Sequence, residues 1–319
     1  METRCDTGET LGQIQRALFK VATGDAAPLV PTLRADFELG AALAPAAAIW
    51  EHGSLKYQFA RGTTDSDGAR FATQDGSLLE LDFGTNALRG FLSPSTFTAP
   101  YSTWPDLMLA PLTEYWREHG CFPLHAAGIA LEDERFVIAG FSGSGKTTLS
   151  LACLAGGGTW HADDKLLFRL TPDGVRAVSL YRNTNLHPAT VAHFSELAFT
   201  LERESIDETN VKRPCLLEEL PVRVDLAPFA PTALLFPQVS DSNHTTLSRL
   251  APADAYLRLA AQSPLSTHPS RMRAQVQTLA AVTRALPAFE VRSGRDVLET
   301  PAVAALRLLD AIRAHRSRQ

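Results

Sequence analysis

The stretch Gly140–Leu149 reads GFSGSGKTTL. It fits the pattern of a glycine, four residues, then glycine, lysine and a hydroxyl residue, met here by Gly140, Gly145, Lys146 and Thr147. Gly143 and Gly145 can take backbone angles closed to other residues, so successive N–H groups can turn inward on one anion. A helix starting near Lys146 adds its positive N-terminal end at the same point. Gly140, Ser142, Gly143, Ser144, Gly145, Lys146, Thr147 and Thr148 are therefore the candidate nucleotide-binding residues. Lys146 has the reach for β- and γ-phosphates. Thr147 can offer its hydroxyl to Mg²⁺, which prefers oxygen ligands and keeps several waters.

The flanking text supplies the context that such a loop requires. "RFVIAG" (135–140) is an apolar strand running directly into it. "KTTLSLACLA" (146–155) is an apolar helix running out of it, ended by Gly156–Gly158. Before both, "PLHAAGIAL" (123–131) reads as a strand joined to "RFVIAG" by Glu132–Glu134. After the helix, "TWHADDKLLFRL" (159–170) resumes as strands and carries Asp163 and Asp164. If this strand returns beside the one before the loop, its tip brings two carboxylates to the γ-phosphate. Metal binding and proton abstraction both need a carboxylate there. The short interval to the acidic pair is unlike large ATPases, which place their acidic strand later. No NKxD is present, so a guanine-specific GTPase is not indicated. The DxxG at Asp65–Gly68 lies upstream of the loop.

Further outward, residues 11–23 carry helix-period apolar positions. From Pro31 the pattern changes. "LRADFEL", "AAIWE", "SLKYQFA", "ARFAT" and "LLELDFG" are short, mostly alternating runs, which predict an antiparallel, strand-rich segment. A helix over 104–119 follows, with Thr103 as its N-cap and Pro111 as a point of kinking. Beyond Pro221, "ALLFPQV" reads as a buried strand. Three helices open with Pro252, Pro269 and Pro301, and "AFEVRSG" is a strand between the last two. The plan is a β-rich N-terminal domain over 1–103 and a phosphate-loop α/β domain over 104–319 with a mostly helical end.

Composition bounds the classes. The 319 residues are 45% hydrophobic and 20% charged, the balance of a soluble globular protein. A net charge of -5 argues against nucleic acid or a membrane surface as partner. No apolar run is long enough to span a bilayer. "METRCDTGET" lacks the basic start and apolar core of a signal peptide, which predicts a cytoplasmic protein. Cys5, Cys121, Cys153 and Cys215 form no CxxC, and the histidines form no HExxH, so neither zinc nor redox chemistry is indicated.

Together, "LHAAGIAL", "GFSGSGKTTL" and "HADDKLLF" resemble the HPr kinase/phosphorylase-related family, whose core is similar to that of phosphoenolpyruvate carboxykinase. These motifs span residues 123–168, and the resemblance extends over residues 105–315. It implies an α/β fold with a P-loop core and a mixed sheet. It implies ATP and Mg²⁺ as cofactors and phosphoryl transfer to a hydroxyl, commonly that of a serine. Carried over by position, Asp163 matches the catalytic carboxylate that takes the proton from the attacking hydroxyl. Asp164 matches a metal-binding or orienting carboxylate, and His125 a phosphate contact or proton partner. The resemblance also implies self-association, for which no sequence feature shows an interface.

The segment that follows the acidic pair in true HPr kinases is not recognisable here, so neither HPr as acceptor nor the reverse reaction is implied. Relatives of this core include kinases of serine in ribosomal peptides and kinases of small molecules. A peptide or protein acceptor, a small-molecule acceptor and a non-catalytic nucleotide-binding regulator therefore stay open. Downstream, Arg182 in "LYRNTNLHP" and Lys212 in "NVKRPC" are candidate substrate contacts. Lysine is scarce (Lys20, Lys56, Lys146, Lys165 and Lys212), so Lys212 stands out from an arginine-rich background. His187 and His193 read as capping or packing residues.

Overall fold

Strand and helix patterning divides the chain into two compact units, seen in a computed structural model. The structure describes residues 2–5, 31–40, 44–57, 60–97, 103–180, 183–205 and 211–316. The expected helix at 11–23 and the candidate Arg182 lie outside them. One unit is drawn from Ala27–Phe122 and Leu265–Val276, together with residues nearer the N-terminus. The other is drawn mainly from Pro123–Pro264 and Gln277–Gln319.

The first unit is built on a sheet of β1 (Glu2–Cys5), β2 (Arg34–Leu39), β3 (Leu55–Lys56), β4 (Arg61–Thr64), β5 (Gly68–Ala72), β6 (Leu78–Asp82) and β7 (Ala87–Leu92). Their order is β1-β2-β7-β6-β5-β4-β3. Strands β3 to β7 form an antiparallel meander, as the alternating text predicts. The expectation of a wholly antiparallel segment is corrected at the other edge, where β1 pairs with β2 and β2 with β7 in parallel. A second correction concerns "AAIWE", which belongs to helix α1 (Ala44–His52) rather than to a strand. Four of its nine residues are alanine, the best helix former, and Pro45 occupies the first turn, where its missing N–H costs nothing. Ala46 packs against Ala72 and Leu78 in a small core of its own.

Helix α2 (Thr103–Glu118) holds a buried ionic cluster in this unit. Glu114 is fully buried and meets the Arg117 guanidinium at 2.5 Å. Arg271, only 4% exposed, reaches Glu118 at 2.8 Å, donates to Thr64 Oγ1 at 2.6 Å and the Asp65 carbonyl at 2.9 Å, and lies over the Phe83 ring. One side chain thus ties the segment Leu265–Val276 to helix α2, strand β4 and the β4–β5 turn.

The second unit carries the phosphate-loop motif. Its main sheet contains β9 (Ala126–Leu131), β10 (Glu134–Ala139), β11 (Thr159–Ala162), β16 (Arg223–Val224), β17 (Ala233–Val239), β18 (Thr246–Arg249) and β19 (Ala288–Ser293), in the order β16-β11-β9-β10-β17-β19-β18. The short β8 (Cys121–Leu124), β12 (Leu166–Thr171) and β13 (Gly174–Ser179) make a three-stranded sheet, so the expected single strand 123–131 breaks at His125. A two-stranded ribbon pairs β14 (Asn183–Leu186) with β15 (Arg213–Leu216). Strands β10, β17 and β19 run parallel, and the segments Phe136–Ala139 of β10 and Ala233–Phe236 of β17 are apolar on both faces, because helices cover both.

On one face lie α3 (Lys146–Ala155) and α6 (Pro301–Arg316), contributing Leu149, Leu151, Leu308 and Ile312 to a core with Phe136, Leu235 and Phe289. On the other, α4 (Pro252–Ala260) and the second half of α5 (Pro269–Ala285) place Leu259, Leu279 and Val282 against Val137 and Leu234. Burying these side chains stabilises the unit by about 25 cal/mol per Å² of apolar surface removed from water. The helices opening at Pro252, Pro269 and Pro301 match the sequence expectation. His187 caps the turn Pro188–Val191 by accepting from the Ala189 N–H.

The strand bearing the acidic pair differs from expectation. It does not lie beside β10, because β9 intervenes and pairs antiparallel with both β10 and β11. The other side of β10 is occupied by β17, so β11 takes the free side of β9. Two antiparallel steps leave β10 and β11 parallel to each other, with their C-terminal ends at the same edge.

Candidate functional site

Register brings three separated motifs to that edge. Ala139, the last residue of β10, faces Ala126, the first residue of β9. Ala162, the last residue of β11, faces Gly128. The residues just beyond these pairs are Gly140, His125 and Asp163. The sheet itself therefore gathers the loop, the histidine and the acidic pair.

The loop between β10 and α3 turns through Gly143 (φ 81°) and Gly145 (φ 97°), the left-handed region that favours glycine. Gly145 is also the N-cap of α3 and supplies no side-chain cap, so the first-turn N–H groups face the loop. Ser142 and Gly143 are exposed, whereas Gly140, Ser144, Gly145, Thr147 and Thr148 are half-buried. Lys146 is 6% exposed. Its ammonium donates to the Gly140 carbonyl at 2.8 Å and the Phe141 carbonyl at 3.2 Å. Burial lowers its pKa, an effect that Lys212 reinforces and the charges of Asp164 and Asp163 oppose.

The acidic pair is placed by local irregularity. The β11–β9 register shifts between Trp160 and Ala162, and Trp160 Nε1 donates to the Ala162 carbonyl at 2.8 Å. A bulge of this kind turns the side chains that follow it. Asp164 then adopts φ 64°, a conformation that aspartate tolerates better than most residues. The Lys165 N–H closes the turn on the Asp163 carbonyl at 2.7 Å. The two carboxylates consequently point into different surroundings.

Asp164 is 45% exposed in its side chain and lies 3.9 Å from the Lys146 ammonium. His125 Nε2 meets Asp164 Oδ1 at 2.6 Å. His125 is in turn held by Gln262, whose carbonyl accepts from the His125 N–H at 2.8 Å and whose amide Oε1 lies 3.3 Å from Nδ1. Burial alone would raise the pKa of Asp164. The hydrogen bond and charge of His125, with Lys146 and Lys212, outweigh that and bring it down to about 2.

Asp163 is 3% exposed. Thr184 on β14 donates its hydroxyl to Asp163 Oδ2. Oδ1 is buried and has no hydrogen-bond partner among the described residues, as is also true of Ser144 Oγ in the loop. Burial, and then the charge of Asp164, pushes the Asp163 pKa up to about 6, against the Thr184 hydrogen bond and the charges of Lys146 and Lys212. A buried carboxylate oxygen of raised basicity with nothing to accept from is chemically a proton acceptor.

Of the residues read from the sequence, the structure brings His125, Gly140, Lys146, Asp163 and Asp164 together, and Thr147 and Thr148 share the first turn of α3 with Lys146. Lys212 precedes β15, and its charge acts on Lys146, Asp163 and Asp164 alike. Thr184 and Gln262 also reach this site, and no sequence motif marks either. Among the described residues no group of three or more His, Cys, Asp or Glu forms a metal cage. The oxygen donors available, Thr147 hydroxyl and the acidic pair, fit Mg²⁺ held largely by phosphate oxygens and water.

No family model matches the chain, and no curated protein does. Among solved structures it is similar to the Hpr(Ser) kinase/phosphatase from Coxiella burnetii, at 10% identity and a TM-score of 0.29. That match covers 61% of this chain and 97% of that one. A likeness at this score carries no functional weight; the chemistry of the site rests on its own geometry. No helix among the described residues is long and apolar enough to cross a membrane.

Proposed function

We propose that the chain is an ATP-dependent phosphotransferase that moves the γ-phosphoryl group of ATP to a hydroxyl, a serine-like one in a peptide or protein. The observation that carries the proposal is the convergence of loop and carboxylates. The Lys146 ammonium lies 3.9 Å from Asp164, and the adjacent Asp163 presents a buried oxygen with no hydrogen-bond partner among the described residues. Phosphoryl transfer needs positioning, charge neutralisation and a proton acceptor rather than covalent participation by the protein. This site supports all three.

In this reading the loop N–H groups and Lys146 bind the phosphates. Asp163 Oδ1 accepts the proton of the acceptor hydroxyl. The acceptor oxygen forms a bond to the γ-phosphorus, the bond from that phosphorus to the β–γ bridging oxygen breaks, and ADP leaves with the electron pair. Asp164, kept ionised by His125 and Lys146, and the Thr147 hydroxyl are the residues that would hold Mg²⁺, whose contribution is to neutralise phosphate charge. Ionised Asp164 beside buried Asp163 divides the two roles between adjacent carboxylates, which is the arrangement that sets apart a charge-bearing group and a base.

The test is incubation of the full chain with isotopically labelled ATP, Mg²⁺, a serine-containing peptide library and a panel of hydroxylated metabolites, read by mass spectrometry. Gain of one phosphoryl group on a peptide hydroxyl supports the proposal. Transfer only to a metabolite favours a small-molecule kinase. Binding of ATP with neither transfer nor hydrolysis makes the chain a regulator, and absence of ATP binding removes the reading altogether.

A further inference from the structure

The ribbon β14–β15 has no part in the loop motif, yet it reaches the site at two points. Thr184 on β14 pairs in register with Cys215 on β15. Both residues are buried, Thr184 at 1% and Cys215 at 2% exposure. From this anchored position the Thr184 hydroxyl donates to Asp163 Oδ2. Just before β15 stands Lys212, whose charge acts on Lys146 and on both carboxylates.

The consequence lies in what is left over. A carboxylate whose two oxygens are both free can rotate about its last torsion, which is a broad, roughly two-fold well. Thr184 occupies one oxygen and leaves Oδ1 as the open one. That atom is buried and unpartnered among the described residues. A threonine inside a strand has a stiff χ1, so the direction of its hydroxyl is set by the backbone of β14. The ribbon thereby fixes which oxygen of Asp163 stays open.

We infer that Thr184 is a positioning residue of this site. It orients Asp163 so that Oδ1 receives the proton of the attacking hydroxyl, and the β14–β15 ribbon is the element that carries it. This inference rests on the phosphotransferase reading and deepens it.

The experiment compares the full-length wild type with Thr184→Val and Thr184→Ser. Four quantities are measured: ATP affinity by calorimetry, ATP turnover with water or an identified acceptor, the melting temperature, and the crystal structure of each variant. Valine keeps the shape and removes the hydroxyl, and a lost hydrogen bond to a charged group corresponds to roughly a tenfold to hundredfold fall in turnover. The expected result is that fall in kcat for Thr184→Val with ATP affinity within about twofold of wild type. Thr184→Ser recovers turnover to within about threefold, because its hydroxyl can make the same bond. The valine crystal structure shows the Asp163 carboxylate rotated from its wild-type orientation, a readout independent of turnover. The inference is overturned if Thr184→Val keeps wild-type turnover, or if its Asp163 carboxylate stays in place. It is also overturned if turnover, ATP affinity and melting temperature fall together with no rescue by serine, since that marks a packing role. A wild type that binds no ATP sinks the phosphotransferase reading first, and this inference with it. An active wild type with an indifferent valine variant sinks only the inference.

Discussion

The basicity of Asp163 makes the pH dependence of transfer a quantitative prediction. Its carboxyl is 3% exposed, and burial, followed by the charge of Asp164, lifts its pKa from 3.8 to about 6. A base works when ionised, so activity should rise with pH. A group titrating near 6 is about one-eleventh ionised one unit below and about ten-elevenths ionised one unit above, so kcat/KM should rise about tenfold between roughly pH 5 and roughly pH 7. Asp164, held at about 2, stays ionised throughout that window and adds no limb to the profile.

Fold stability should run the opposite way. A carboxyl whose folded pKa is raised contributes stability that is complete below 3.8 and is lost as pH rises through about 6. The assay is kcat/KM for ATP across this range, alongside urea unfolding, in wild type and in Asp163→Asn. Asparagine keeps the shape and cannot accept the proton as a carboxylate does. Turnover should fall by about a hundredfold or more, ATP affinity should be largely retained, and the residual rate should lose its limb near 6. A limb that persists in Asp163→Asn belongs to the substrate or to another group, and refutes the assignment of Asp163 as base. Equal loss of ATP binding and turnover would instead give Asp163 a metal role.

Three further outcomes rest on named contacts. Lys146→Ala should weaken both ATP binding and turnover by at least about tenfold, because a buried ammonium at the loop is lost; unchanged affinity by calorimetry would contradict this. His125→Leu removes the bond that meets Asp164 Oδ1 at 2.6 Å, so the Asp164 pKa should climb from about 2 toward 3.8, as followed by carboxyl carbon NMR titration. Arg271→Met strips Glu114 and Glu118 of a partner inside the first unit, and should cost that unit about 3 kcal/mol in urea unfolding while leaving ATP affinity intact.

How much of the fold and the site is legible in the sequence depends on how local each signal is. The glycine-rich loop Gly140–Thr147 is contiguous in sequence, and its Gly143 and Gly145 take φ of 81° and 97° for a reason stated by their type alone. The acidic pair is legible by its position after the helix of that loop. The strand bearing it lies one place further out than its spacing suggests, because nothing in "TWHADD" records that β9 and β17 already flank β10. "AAIWE" misleads because alanine satisfies an alternating pattern without preferring a strand, and its helix propensity decides the matter. Thr184 and Gln262 meet their partners across gaps of 21 and 137 residues, with no motif to announce either. Only folding puts the ribbon against Asp163 and the end of α4 against His125. The return of Leu265–Val276 to the first unit is equally hidden, since Arg271 looks in sequence like any surface arginine.

The most direct measurement is a crystal structure of the chain with a non-hydrolysable ATP analogue and Mg²⁺. The account predicts phosphates wrapped by the N–H groups of Gly143–Thr147, a γ-phosphate in contact with Lys146, and Asp163 Oδ1 facing that phosphate across a gap wide enough for one hydroxyl. An analogue bound away from this loop, or a γ-phosphate turned from the acidic pair with Asp163 sealed off behind protein, would contradict it.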